Sequence, residues 1–203
     1  MELPAAYRPD TRCTAFLDDR RIAAGELRHV ALRAQQALAA RPDGHLLIFD
    51  DRAGRLIDLD LRGGPADIVQ RLSREAIPAS ESGSAEPVRR GRGRPRLGVV
   101  AREVTLLPRH WQWLGAQPGG ASVALRKLVE AARRENAQGD ARRAAQERSY
   151  RFMVAMAGDR LGFEEASRAL FAGDITRFEA EIAGWPEDLR DHATMLAADA
   201  WPP

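Results

Sequence analysis

The stretch AIPASESGSAEPVRRGRGRPRLG, residues 76–98, constrains the fold of this 203-residue chain more than any other feature. Pro, Gly, Ser and Arg dominate it, and large apolar side chains are almost absent. Such a segment cannot bury enough surface to offset the entropy of ordering it. The expectation is a flexible linker over residues 77–98 that carries a charge run. Any packed structure has to come from the sequence on either side.

Upstream, short strand-like runs alternate with helical ones. TAFLDDRRIAAGEL reads as two strands joined by an Asp18-Asp19 turn. Leu27, Val30, Ala31, Ala34 and Leu38 then recur at helical spacing until Pro42-Asp43-Gly44 ends the run. HLLIFDDRAGRLIDLDL has the pattern of a hairpin: an apolar run, a turn over residues 51–54, then Leu56, Ile57, Leu59 and Leu61 on the return. A short helix over residues 65–74 completes a ββαββα order, expected to form a small N-terminal α+β domain over residues 1–76.

Downstream, VVAREVTLLP is β-branched enough for a strand and stops at Pro108. RHWQWLGAQ predicts a short helix, Pro118-Gly119-Gly120 breaks it, and Ser122 is in place to N-cap a second helix. In that helix Leu125, Leu128, Val129 and Ala132 form the apolar stripe, while Arg126, Lys127, Arg133 and Arg134 point elsewhere. This gives a strand-helix-helix unit over residues 99–137. Residues 141–203 read as helical throughout, with breaks at Gly158, Gly173 and Gly184. Phe152, Met156, Phe163, Leu170, Phe171, Phe178, Ile182 and Leu196 are the expected core there. The fold class of the whole is α+β.

A net charge of +2 conceals a partition. Residues 1–88 hold 12 bases and 14 acids, residues 89–151 hold 15 and 5, and residues 152–203 hold 4 and 10. Codon bias explains why nearly every base is Arg, but not why the excess collects in one third of the chain. A basic block between acidic flanks is the footprint of a phosphate-binding segment.

Enzyme and metal signatures are missing from the sequence. Cys13 is the single cysteine, which excludes a disulfide framework and a Cys-based zinc cluster. His29, His45, His110 and His192 are scattered, with no pair at metal-ligand spacing. Asp50, Asp51, Asp58 and Asp60 read as solvated turn and edge charges, so the expectation is a protein without catalytic residues, cofactor or metal. The opening MELPAAYRPDTRC lacks a basic stretch followed by an apolar run, and no segment reaches roughly 18 consecutive apolar residues. A cytoplasmic location, off the membrane, is expected.

Arg92-Gly93-Arg94-Pro95-Arg96 resembles the AT-hook, a peptide that lies in the minor groove of A·T-rich DNA. Gly permits close backbone approach, Pro fixes an extended chain, and Arg is drawn to the negative potential of a narrow groove. A solvated Arg/Pro linker would carry the same string. Residues 102–134 resemble the ribbon-helix-helix unit of small bacterial repressors, on Leu107-Pro108 before the first helix, Trp111 as a core position and a Gly-containing turn. The resemblance implies an obligatory homodimer whose paired strands enter the major groove, with the backbone around Gly120 and Ser122 on a phosphate. If Leu107 faces the core, period two leaves Arg102, Val104 and Leu106 on the reading face, of which only Arg102 has a strong hydrogen-bonding role. Shifting the register by one exposes Glu103, Thr105 and Leu107 instead. The expected DNA-binding set is Arg89, Arg90, Arg92, Gly93, Arg94, Pro95, Arg96, Arg102, Thr105, Gly120 and Ser122, in a transcription regulator or nucleoid-associated protein. A protein-interaction module without nucleic-acid binding is the competing class.

The string from Gly91 to Arg134, taken with the strand-rich N-terminus and the tail RFMVAMAGDRLGFEEASRALFAGD, is similar to a bacterial family catalogued as domain of unknown function 2239. That similarity implies a shared fold and a bacterial origin, and carries no activity.

Overall fold

Strand β1 (Arg12–Leu17) is buried on both sides along all but its first residue, and this decides the architecture. A strand with one wet face alternates, whereas β1 does not, so both faces of its sheet must be covered. The computed structural model of the chain, which describes residues 7–75 and 102–202, shows how. β1 lies at the centre of a three-stranded antiparallel sheet of order β2-β1-β3, between β2 (Arg20–Glu26) and β3 (Leu46–Asp50). The Asp18-Asp19 turn joins β1 to β2. Asp18 sits at φ 53 and is fastened there, its carboxylate accepting from the His45 N–H (3.0 Å) and from Arg41 (2.7 Å).

One sheet face receives α1 (Leu27–Ala40) and α2 (Pro65–Glu75): Cys13, Ala15 and Ile48 pack with Leu27, Val30, Ala31, Ala34, Ile57, Ile68 and Leu72. The alternate residues point the other way. Phe16 and Phe49 join the core of the C-terminal helices α5 (Ala137–Ala157), α6 (Phe163–Ala172), α7 (Ile175–Ile182) and α8 (Glu187–Leu196). Phe152 is the hub, with ring centroids 5.3 Å from Phe16 and 5.0 Å from Phe49. Residues 1–79 and 139–203 therefore form one unit and residues 80–138 a second, containing α3 (Pro108–Gly115) and α4 (Gly120–Glu135). The segments expected as separate pieces over 1–76 and 141–203 share a core, in which Phe16 and Phe49 of the sheet pack against Phe152 of α5.

The α+β class stands, with three strands and eight helices among the described residues. The expected fourth strand does not form. The return arm touches β3 through a Phe49–Leu56 bridge and an Ile57 N–H to Ile48 carbonyl bond of 2.8 Å, then leaves. Asp60, paired with Arg62 (2.8 Å) and reached by Arg71 of α2, holds residues 58–62 toward that helix. Residues 102–107 belong to neither strand nor helix, since a lone extended segment has no ladder to join. The expected linker over 77–98 lies outside the described residues. In the C-terminal part the breaks fall at Gly158, Gly173 and Gly184 as expected, but Phe171 is 52% exposed and lies edge-on against Tyr150 at the surface instead of entering the core.

Candidate nucleic-acid interface

Pro108 opens α3 at its first turn, where its missing N–H costs nothing, and Leu107 precedes it in an extended conformation. The reversal into α4 depends on two left-handed residues, Gly119 (φ 86) and Gly120 (φ 74). A Cβ on Gly119 would lie 3.1 Å from that of Val123, so the turn is tight as well as left-handed. The N-cap of α4 is Gly119, with no side-chain cap. Ser122, expected at that position, stands three residues inside the helix, where its carbonyl accepts from Arg126 (3.1 Å). Gly120 N–H bonds back to Gln117 (2.9 Å), which leaves the N–H groups of Ala121 and Ser122 without a backbone acceptor among the described residues.

Three of the expected residues meet here. Arg102, Thr105 and Ser122 line one cleft of about 580 Å³, together with Glu103, Val104, Trp111, Ala121 and Leu125. Gly120 begins the helix beside it. Arg89, Arg90, Arg92, Gly93, Arg94, Pro95 and Arg96 lie outside the described residues.

The rest of the basic block divides by role. Arg102, Arg109, Lys127 and Arg134 are exposed and have no ion-pair partner among the described residues, whereas Arg133 is paired with Glu130 (3.0 Å). Of the arginines that follow, Arg148 and Arg151 fasten the first unit. Arg148 donates to the Leu196 carbonyl (2.6 Å) and pairs with Asp199 (3.0 Å). Arg151 donates to the Ala53 carbonyl (2.8 Å) and pairs with Glu147 (2.7 Å), and Arg143 pairs with Asp140. The surface free to meet a polyanion is thus narrower than the charge count over 89–151 implies. Arg109, Lys127 and Arg134 were part of that count, but only their unpaired state singles them out. Helical spacing could have done so for Lys127 and Arg134, which fall opposite the apolar stripe of α4.

The first unit holds a second polar constellation. Thr14 donates to Asp51 (2.8 Å), whose carboxylate stands 3.9 Å from Nε2 of His192. His192 is 1% exposed, and its ring lies edge-on to Phe16 (5.2 Å) and Phe152 (4.6 Å). Burial, with a smaller push from Arg21, holds its pKa down to about 4, so the imidazole is neutral at pH 7. Burial raises Asp51, with Asp50 adding to the effect and the Thr14 hydrogen bond opposing it. Burial likewise pushes the Cys13 thiol up to about 12, far from a reactive thiolate. Among the described residues no group of three or more His, Cys, Asp or Glu is placed to hold a metal ion, and no helix is long and apolar enough to cross a membrane.

No curated protein and no solved structure matches the chain. A family model described as "Uncharacterized protein conserved in bacteria (DUF2239)" matches residues 12–197, which takes in both flanks of the first unit and all of the second. By that match the chain belongs to the uncharacterised bacterial family DUF2239.

Proposed function

We propose that the chain binds duplex DNA through the second unit and the Arg-rich run before it, as a transcription regulator or nucleoid-associated protein of the bacterial cytoplasm. One observation carries the reading: Arg102, Thr105 and Ser122 line a single cleft at the uncapped N-terminus of α4. A helix N-terminus with open N–H groups and an arginine at its edge suits a phosphate oxygen. Arg109, Lys127 and Arg134, unpaired among the described residues, would add contacts along the backbone of the duplex. In this reading Arg92, Arg94 and Arg96 take the minor groove as an AT-hook does, and Arg89 and Arg90 track the flanking phosphates.

The test is a titration of the full chain against A·T-rich duplex, G·C-rich duplex and single strands at two salt concentrations. The reading expects duplex affinity that falls steeply with salt. It also expects an A·T preference that disappears when Arg92, Arg94 and Arg96 are replaced by Ala. Absence of duplex binding at low salt, or affinity indifferent to salt, overturns it. A protein-interaction module without DNA binding is the second reading, favoured by Trp113, which stands 53% exposed on α3.

A further inference from the structure

The outer edge of β3 is left partly unpaired. With the Asp18 N–H on the His45 carbonyl (2.8 Å), the register of β1 on β3 turns the N–H and C=O groups of Leu46, Ile48 and Asp50 outward. The return arm uses those of Asp50 and the C=O of Ile48, through Gly54, Arg55 and Ile57. It leaves the N–H and C=O of Leu46 and the N–H of Ile48 without a hydrogen-bond partner among the described residues. Beyond Ile57 the arm is propped away from the strand by side chains of two helices. Arg71 of α2 donates to the carbonyls of Asp60 (2.8 Å) and Arg62, and Gln35 of α1 donates to that of Gly63.

A groove opens where the arm parts from the strand. Its narrower part, of about 270 Å³, has Ile48 and Ile57 in its walls, and its wider part, of about 730 Å³, reaches Leu38 of α1. The two parts are continuous, sharing Leu46, Asp58, Leu59 and Leu61. The floor is therefore apolar. On the rim Asp60 is engaged by Arg62 (2.8 Å), whereas Asp58 has no ion-pair partner among the described residues. From Leu46 to Phe49, β3 also lacks the charges and prolines that keep edge strands from pairing.

We propose that this groove binds an extended peptide segment of a partner protein, which adds to β3 as a fourth strand and carries a basic side chain opposite Asp58. The walls select this occupant. Backbone donors and acceptors spaced along a strand edge are matched by another backbone in extended form. The alternate side chains of such a strand would rest on the leucines of the floor, and the row facing outward would meet the Asp58 carboxylate, which favours a cation. A second copy of the chain fits less well, because the arm that forms the other wall would meet its own image across a twofold pairing of β3 with β3. The site lies wholly within the first unit and does not depend on DNA binding.

The test is fluorescence anisotropy of the full chain with labelled heptapeptides of the pattern apolar-Thr-apolar-Arg-apolar-Thr-apolar, the apolar residue being Val, Ile, Leu or Phe throughout. At least one of the four is expected to bind with Kd below about 100 μM. The Leu46 amide, quick to exchange in the free chain, is expected to become protected when the peptide binds. N-methylation of alternate peptide amides should abolish binding for one of the two sets and spare the other, since only one row of N–H groups faces β3. Asp58→Lys should weaken the Arg peptides at least about 10-fold and favour counterparts with Glu in place of Arg. Asp58 is exposed, so this variant is expected to melt as wild type does. Failure of all four peptides to bind below about 100 μM overturns the proposal. So does an equal response to the two N-methylated sets, which would mean a contact other than strand pairing. Unchanged affinity in Asp58→Lys overturns it too, by placing the peptide elsewhere. So does a Leu46 amide already protected in the free chain. Light scattering then says what covers the edge: a doubled mass assigns it to a second copy, and the mass of a single chain assigns it to the arm closed on β3.

Discussion

Arg151 on α5 donates a 2.8 Å hydrogen bond from Nη1 to the carbonyl of Ala53, in the turn that follows β3. The same turn carries Gly54 at φ 64, where a Cβ would collide with the backbone of Arg148. The turn after β3 is therefore pressed onto α5, and two arginines that look on paper like part of a polyanion-binding block fasten the first unit together.

Replacing Arg148 by Met should accordingly lower stability and leave DNA affinity alone. Its side chain is 18% exposed, and its loss strands the Leu196 carbonyl, at a cost of about 1–3 kcal/mol. Urea denaturation reads the first effect and the slope of affinity against salt reads the second. A changed salt slope would return Arg148 to the binding surface.

Arg109, Lys127 and Arg134 are expected to behave in the opposite way. Each exchanged for Ala should change stability by less than about 0.5 kcal/mol. Each should also weaken duplex binding for all sequences alike and reduce the salt slope by about 1. Fluorescence anisotropy at several salt concentrations, beside thermal melts, checks both. Undiminished affinity in the triple variant would remove α3 and α4 from the interface.

Phe152→Ala should cost roughly 3–5 kcal/mol, because the ring fills the space between the sheet and the C-terminal helices. The more specific outcome is cooperativity. Hydrogen exchange should rise together in β1, β3 and α8, since all three lean on this ring, its neighbours Phe16 and Phe49, and His192. Exchange rising in α8 alone would mean that the N-terminal segment stands by itself.

Stability should fall as pH drops from 6.5 to 4. Unfolded His192 takes up a proton near its ordinary pKa of 6.5, while the folded imidazole resists to about 4. The unfolded state thus binds more protons in that window, and the loss amounts to on the order of 3 kcal/mol at most. Asp51, raised by burial, acts with the opposite sign, because its folded form takes a proton first as pH falls. Denaturation midpoints of His192→Phe across this range should therefore drop less than those of wild type, and an equal drop would assign the effect to other groups.

Much of the local structure was legible in the sequence. The Asp18-Asp19 turn, helix α1, the breaks at Gly158, Gly173 and Gly184 and the reversal at Gly119-Gly120 each follow from residue chemistry within a few positions. What escaped was long-range. Nothing local distinguishes Phe16 and Phe49 as partners of Phe152, although the uninterrupted burial of β1 corresponds to a run, CTAFL, with no polar residue besides Thr14. The return arm at residues 58–62 alternates as a strand should, yet it bonds β3 only through Leu56 and Ile57, and Arg71 of α2 donates to the Asp60 carbonyl instead. Of the residues the pattern singles out around the second unit, Arg102, Thr105 and Ser122 come to line one cleft. The capping role given to Ser122 does not hold, because two consecutive left-handed glycines let the helix begin earlier.

The division of the first unit into two stretches of sequence has a bearing on how the chain is made. While the N-terminal stretch emerges from the ribosome, Phe16 and Phe49 have no cover, and at about 5–20 residues per second the second unit must be synthesised before Phe152 exists. The nascent sheet spends that interval as a sticky apolar surface. Bacteria slowed in translation over residues 80–138 should thus show more of this protein bound to chaperones or lost to aggregates than those slowed after residue 200.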